Sequence, residues 1–339
     1  MRGISGSAHI AASLLLLAVA SFATGCDRGP ARTGPAGMKK ITIAVTPWPA
    51  SVALYIAQEK GYFREEGLDA TLDSYLSGHL GINAVLSGKA DIATSTETPI
   101  ARAALEGKRL AVIATVAEVE RGMLIVARKD RGISKPGDLK GKKVGRVAWT
   151  AADFFLDIYL TTSSVDPGKV RIVDLAPEQV VRSLLDGEVD AVSTWPPQTT
   201  ILREKLGSNG VVLHEPGLYT MTWNVVTSME LSGRDPDMIA RFLRAILKAN
   251  RLIDERPEEA MAIAVKCCGM SMSDFGMEWT DMEFTLQLDQ TLLSYLEDQA
   301  RWMNRKGTGG AGKAPNFLDH IDAKGLRAVR PEAVLIVGK

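Results

Sequence analysis

The sequence predicts an α/β protein built of two similar Rossmann-like lobes, joined by a two-strand hinge around one ligand cleft. Three observations predict it. The first is a motif that occurs twice, Leu86-Ser87-Gly88-Lys89-Ala90-Asp91-Ile92-Ala93-Thr94-Ser95-Thr96 and Leu185-Asp186-Gly187-Glu188-Val189-Asp190-Ala191-Val192-Ser193-Thr194-Trp195. In each copy an apolar helix ends in Leu and a Gly closes it in the left-handed conformation. An Asp then opens a strand too apolar to face water on either side. The second observation is another echo: Ile41-Thr42-Ile43-Ala44-Val45-Thr46-Pro47-Trp48 and Val144-Gly145-Arg146-Val147-Ala148-Trp149-Thr150 each lead a strand into a helix start. The third is bulk. A chain of 339 residues, 46% of them hydrophobic, is long and apolar enough for two packed lobes.

The N-terminus stands outside that fold. Arg2 precedes an apolar run over 10–22, too short to span a bilayer, and Ala23-Thr24-Gly25-Cys26 follows. This is the pattern of a secretory signal over 1–25. Cys26 after small residues resembles a bacterial lipobox, with Ala23 where that motif usually has Leu, which makes Cys26 the lipid-attachment residue. Ordinary cleavage after Ala18-Val19-Ala20 is the competing reading. Asp27 resembles the signal that keeps Gram-negative lipoproteins on the inner membrane. Residues 26–38, rich in Gly, Pro, Arg and Thr, read as a flexible tether.

The elements then follow in order. After the strand at 41–45, Pro47 and Pro49 hold Trp48 at the strand's carboxyl end and exclude an ordinary helix there. A helix over 53–60 stops at Gly61, and a strand follows around 70–72. Ser77-Gly78-His79 opens an apolar helix over 80–86, where a Ser cap next to free backbone N–H groups is either an anion site or a plain cap. Helix 99–106 has Pro at its start and Gly107 at its end. Strands at 110–116 and 122–127 take the chain into the second lobe, with the crossing near Val126. Thr150-Ala151-Ala152-Asp153 opens a helix over 154–161. Its Asp153 either contacts a cationic ligand group or complements the helix dipole. A strand at 170–175 and helices at 177–185 and 198–206 complete that lobe, and a strand at 219–226, crossing near Trp223, returns the chain to the first lobe. Amphipathic helices over 237–255, 258–267 and 290–304 wrap the first lobe, and 307–312 is a Gly-rich loop. The lobes divide as 39–127 with 218–339 against 128–217. Cys267 and Cys268 are neighbours, which disfavours a bridge between them, and read as buried thiols at a helix end.

The tract Ala57-Gln58-Glu59-Lys60-Gly61-Tyr62-Phe63-Arg64-Glu65-Glu66-Gly67-Leu68 resembles the signature of the nitrate/taurine/sulfonate class of ABC-transporter substrate-binding proteins, and Asp138-Leu139-Lys140-Gly141-Lys142-Lys143-Val144-Gly145 and Asp190 to Pro196 resemble the same class. The resemblance implies a type 2 periplasmic binding protein architecture. It also implies a periplasmic monomer that captures a small molecule and delivers it to an ABC permease with a separate ATPase subunit. Two alternatives stand beside it. One is an enzyme like the fungal thiamin-pyrimidine synthases, which share the fold but resemble a Cys-cluster motif this chain lacks. The other is a ligand sensor for a receptor.

The chemistry present is sparse. Forty basic and forty acidic residues cancel, so no field favours a nucleic acid. The four histidines are scattered, and no zinc, nucleotide-binding or serine-hydrolase motif appears, so neither metal nor cofactor is expected. In an open parallel sheet, ligands bind beyond the carboxyl ends of the strands. That rule places Trp48, Ser77, Gly78, Ser95, Thr96, Glu97, Thr150, Ala151, Asp153, Trp195 and Trp223 at the cleft. For each tryptophan the competing role is core packing. Backbone N–H groups at Ser77-Gly78 and Thr150-Ala151 suit an oxyanion, whereas Glu97, Asp153 and the Trp faces suit an ammonium. A sulfonate, a taurine-like zwitterion or an organic amine fits this set. A bare inorganic anion would be repelled by Glu97.

Overall fold

The repeated motif folds the same way twice in the computed structural model, which describes residues 37–268, 272, 276, 279–307 and 315–338. Gly88 and Gly187 both close a helix at positive φ, 72° and 75°. Each Asp then ties its strand to the neighbouring parallel strand. The Asp91 carboxylate accepts the Thr42 N–H at 2.8 Å, and the Asp190 carboxylate accepts the Lys143 N–H at 2.9 Å. In return each Asp donates its own N–H to the same residue's carbonyl, 2.8 Å in both cases. The aspartates are registration pins for the sheets, which is why the motif recurs.

The first lobe begins with β1 (Lys39–Val45), α1 (Val52–Glu59), α2 (Tyr62–Glu65), β2 (Leu68–Ser74), α3 (Gly78–Leu86), β3 (Ile92–Ser95), α4 (Glu97–Leu105) and β4 (Leu110–Val119). The second holds β5 (Leu124–Arg128), β6 (Lys143–Arg146), α5 (Ala151–Thr162), β7 (Arg171–Asp174), α6 (Val180–Leu185), β8 (Ala191–Thr194), α7 (Gln198–Leu206) and β9 (Gly210–Leu213). The chain then returns through β10 (Met221–Ser228), α8 (Met229–Arg234), α9 (Pro236–Glu255), α10 (Pro257–Cys268), β11 (Met282–Gln287), α11 (Gln290–Arg305) and α12 (Lys324–Val329). The sheets run β11-β4-β10-β3-β1-β2 and β7-β6-β8-β5-β9. Parallel β3-β1-β2 in one corresponds to parallel β8-β6-β7 in the other, so the two echoes in the sequence are two copies of one βαβ framework.

Both crossings lie a few residues before their expected places. The chain changes sheets at 120–123 and again at 214–220. Val126 lies inside β5, which pairs with β8 and β9, and Trp223 lies inside β10 of the first sheet. The second lobe therefore starts at Leu124, not at residue 128. The Gly217 N–H donates to Glu120 Oε1 at 3.1 Å, linking the two crossing segments.

Other differences are local. Helix α4 starts at Glu97, with Pro99 in its first turn, where a missing N–H costs nothing. Strand β11 was not expected; its Phe284-Thr285-Leu286 alternation is the signal for it. Cys267 and Cys268 are half-buried rather than buried. The signal sequence, Cys26, the tether up to residue 36, and residues 308–312 of the Gly-rich loop lie outside the described residues.

Candidate functional site

Three helices begin where the strands end. Helix α3 is capped by Ser77, whose Oγ accepts the Leu80 N–H at 3.5 Å. Gly78 is required by close approach. A Cβ there would lie 2.5 Å from Ser95 Oγ and 2.8 Å from Ser95 Cα, so only glycine lets α3 start against β3. Gly78→Ala is expected to lower the unfolding free energy by about 1–3 kcal/mol, read from a urea melt, because the opposing atoms include backbone. Helix α5 begins after Thr150, whose hydroxyl donates to the Val147 carbonyl at 2.8 Å instead of capping its own helix. The first amides of α5 thus keep their donors free of a side-chain cap. Helix α4 begins after Thr96, also without a side-chain cap from that residue.

These helix starts meet the three tryptophans around a cavity of about 40 Å³, several times what one water needs. Of the predicted site residues, Trp48, Ser77, Gly78, Thr96, Thr150, Ala151, Trp195 and Trp223 line it, joined by Thr46, His79, Pro99 and Met123. Thr46 and His79 lie within two residues of predicted positions, and the strand-end rule could have included them. Met123 lies in the first crossing segment, and only the tertiary fold brings it here. The tryptophans are 2% (Trp48), 3% (Trp223) and 9% (Trp195) exposed. Core packing and cavity lining, alternatives in the sequence, are both true of these rings. Trp48 and Trp223 meet edge-on, ring centroids 5.0 Å apart.

Ser95, Glu97 and Asp153 do not line the cavity. Ser95 is buried and donates its hydroxyl to the Thr96 carbonyl at 3.1 Å. Glu97 is wholly buried behind the wall, accepting from the Tyr219 hydroxyl at 2.9 Å and from the Thr222 N–H. Gln299 donates to the Tyr219 oxygen at 3.2 Å, and Thr98 donates to Gln299. Burial pushes the Glu97 carboxyl pKa up, against the lowering effect of these donors. Asp153 is equally buried and binds Arg146, the Trp149 N–H (3.0 Å) and Lys306 Nζ (3.4 Å). The sequence treated both carboxylates as ligand acceptors; their acceptor sites are taken by the protein. Glu97 therefore does not meet a small anion in the cavity directly.

Asp153 instead shapes the site from behind. Trp149 has φ 62°, a left-handed conformation unusual for a bulky residue, and Asp153 holds its N–H just before the α5 start. Helix α11 of the first lobe braces the same region. Trp302 donates its indole N–H to Asp157 at 2.7 Å, Lys306 pairs with Asp157 at 2.7 Å, and the Trp302 ring contacts Trp149 and Phe154. This helix, expected only to wrap the first lobe, bridges both.

The electrostatics are simple. Among the described residues, no Arg, Lys, Asp or Glu lines the cavity. Burial, aided by the nearby Arg102 charge, lowers the pKa of His79, which favours its neutral form. What polarity the walls have comes from helix amides, hydroxyls, indole N–H groups and the His79 imidazole.

A sequence profile described as NMT1/THI5 like matches residues 48–260. The chain belongs to the NMT1/THI5-like family. Its relatives include the taurine-binding periplasmic protein of Escherichia coli (strain K12), 24% identical over 213 residues, which are 62% of this chain and 64% of that protein. Among solved structures it is similar to the alkanesulfonate-binding protein SsuA from Xanthomonas axonopodis pv. citri bound to MOPS. There the TM-score is 0.72 at 15% identity, covering 84% of this chain and 98% of that one. The periplasmic nitrate-binding protein NrtA from Synechocystis PCC 6803 gives a TM-score of 0.69 at 13% identity, covering 87% and 89%. This family member therefore has the periplasmic binding protein fold, with two α/β lobes.

Proposed function

We propose that this protein is the substrate-binding component of an ABC importer and that it captures an organic sulfonate between its lobes for a membrane permease. One observation carries the reading. Helix N-termini from both lobes, α3 and α5, open onto a cavity with no formally charged side chain from the described residues in its wall. Such a wall neutralises a monoanion through amide dipoles, while a dianion lacks the countercharge it needs. The indole rings suit the apolar body of the ligand. The names of the taurine-binding relative and of the sulfonate-binding structural neighbour support the same head group. An organic amine is disfavoured, because Glu97 and Asp153, the carboxylates that would have received it, are held elsewhere. Placement in the periplasm, with a lipid on Cys26 holding the protein to the inner membrane, belongs to the same proposal.

A thermal-shift series with ethanesulfonate, nitrate and propylamine tests it. The sulfonate is expected to raise the melting temperature with concentration, adding about 2.7 kcal/mol of stability at a hundred times its Kd. Stabilisation by the amine alone would overturn the reading.

A further inference from the structure

Trp48 and Trp223 touch edge-on in the same cavity wall, yet their indole N–H groups have different fates. Trp223 Nε1 donates to Ser51 Oγ at 3.0 Å, and Ser51 in turn donates to the Thr46 carbonyl at 2.9 Å. Trp48 Nε1 is buried and has no hydrogen-bond partner among the described residues. The hydroxyl of Thr46, two residues away, is in the same condition. Thr46 and Trp48 are 7% and 2% exposed, and both line the cavity. Other buried polar atoms without partners exist in the described residues, but none belongs to another cavity-lining residue. A buried donor left unpaired keeps the full cost of its desolvation, so one wall of the site carries a standing preference for a ligand that satisfies it.

The two groups differ in chemistry. An indole N–H only donates, while a threonine hydroxyl donates or accepts. The ligand atom that satisfies both is an oxygen that accepts from Trp48 and either accepts from the Thr46 hydroxyl or, if it carries a proton, donates to it. An ammonium fails here, because it has donors only and would meet the Trp48 N–H donor to donor.

We infer that Trp48 and Thr46 are specificity-determining residues forming a subsite for a hydroxyl or carbonyl oxygen on the carbon chain of the sulfonate. The inference rests on the sulfonate reading above and deepens it. The helix amides take the anionic head, and the Trp48–Thr46 pair selects short sulfonates bearing an oxygen function over plain alkanesulfonates and over aminosulfonates. Trp223, whose N–H is already engaged, provides the wall against which Trp48 is held.

The test is titration calorimetry of the protein with three probes of nearly equal size: 2-hydroxyethanesulfonate, ethanesulfonate and taurine. The hydroxylated probe is expected to bind about tenfold more tightly than ethanesulfonate, the equivalent of about 1.4 kcal/mol, and taurine more weakly than either. Trp48→Phe keeps an aromatic ring and removes the N–H, and Thr46→Val keeps the shape and removes the hydroxyl. Each is expected to bring the ratio between the hydroxylated and plain probes to within about twofold, the loss of roughly one hydrogen bond. Because the readout is a ratio on one preparation, partial unfolding of a variant cancels. Equal binding of the two probes by the unaltered protein, or an undiminished preference in Trp48→Phe, overturns the subsite while leaving the sulfonate reading intact. Failure of all three probes to bind the unaltered protein overturns both.

Discussion

Arg146→Met is expected to lower the unfolding free energy by about 3–5 kcal/mol, because it strands a buried carboxylate. Asp153 has no exposed surface, and Arg146 is the partner that lies in its own lobe at the end of β6. The remaining cation, Lys306, reaches it from α11 at 3.4 Å and is itself partly solvated. Removing both charges should cost much less than removing one, since no buried charge is then left alone. Arg146→Met combined with Asp153→Asn should therefore recover at least half of the loss in a urea melt. The same loss in the double variant as in the single one would show that the packing of the arginine stem, not the ion pair, is what matters. A single variant as stable as the parent would refute the pairing.

Trp223→Ala should cost a similar amount, about 3–5 kcal/mol. Its ring is 3% exposed, packs edge-on against Trp48 and engages Ser51, so the substitution opens a void and leaves a buried hydroxyl with one partner fewer. The strand it sits on, β10, lies between β3 and β4 in the middle of the first sheet, where collapse around a void is restricted. Trp195 makes the contrast. It is the most exposed of the three at 9% and stands at the end of β8 in the other lobe. Trp195→Ala is expected to destabilise the protein less than Trp223→Ala while still weakening ligand binding. Equal loss of stability in the two variants, measured side by side in urea, would remove that distinction.

The sequence by itself determined the two-lobe framework, because its evidence is local. A Gly that must take positive φ, an Asp that opens a buried strand, and an apolar run between them are written within a dozen residues, and writing them twice specifies two copies. The strand-end rule was equally legible, since it needs only the order of elements; it places Trp48, Ser77, Gly78, Thr96, Thr150, Ala151, Trp195 and Trp223 at the cavity. The partners of each side chain were not legible. Glu97 and Asp153 sit at helix starts like the residues that line the cavity, and nothing near them in sequence shows that Tyr219 and Thr222, or Arg146 and Lys306, will occupy their oxygens. Those partners lie as far as 153 residues away for Lys306 and Asp153, so the competition between ligand and protein for a carboxylate is decided only when the lobes and α11 come together. The same holds for the two indoles. As residue types Trp48 and Trp223 are indistinguishable, and only the fold, by setting the Ser51 hydroxyl against the indole N–H of Trp223, engages one N–H and leaves the other without a partner among the described residues.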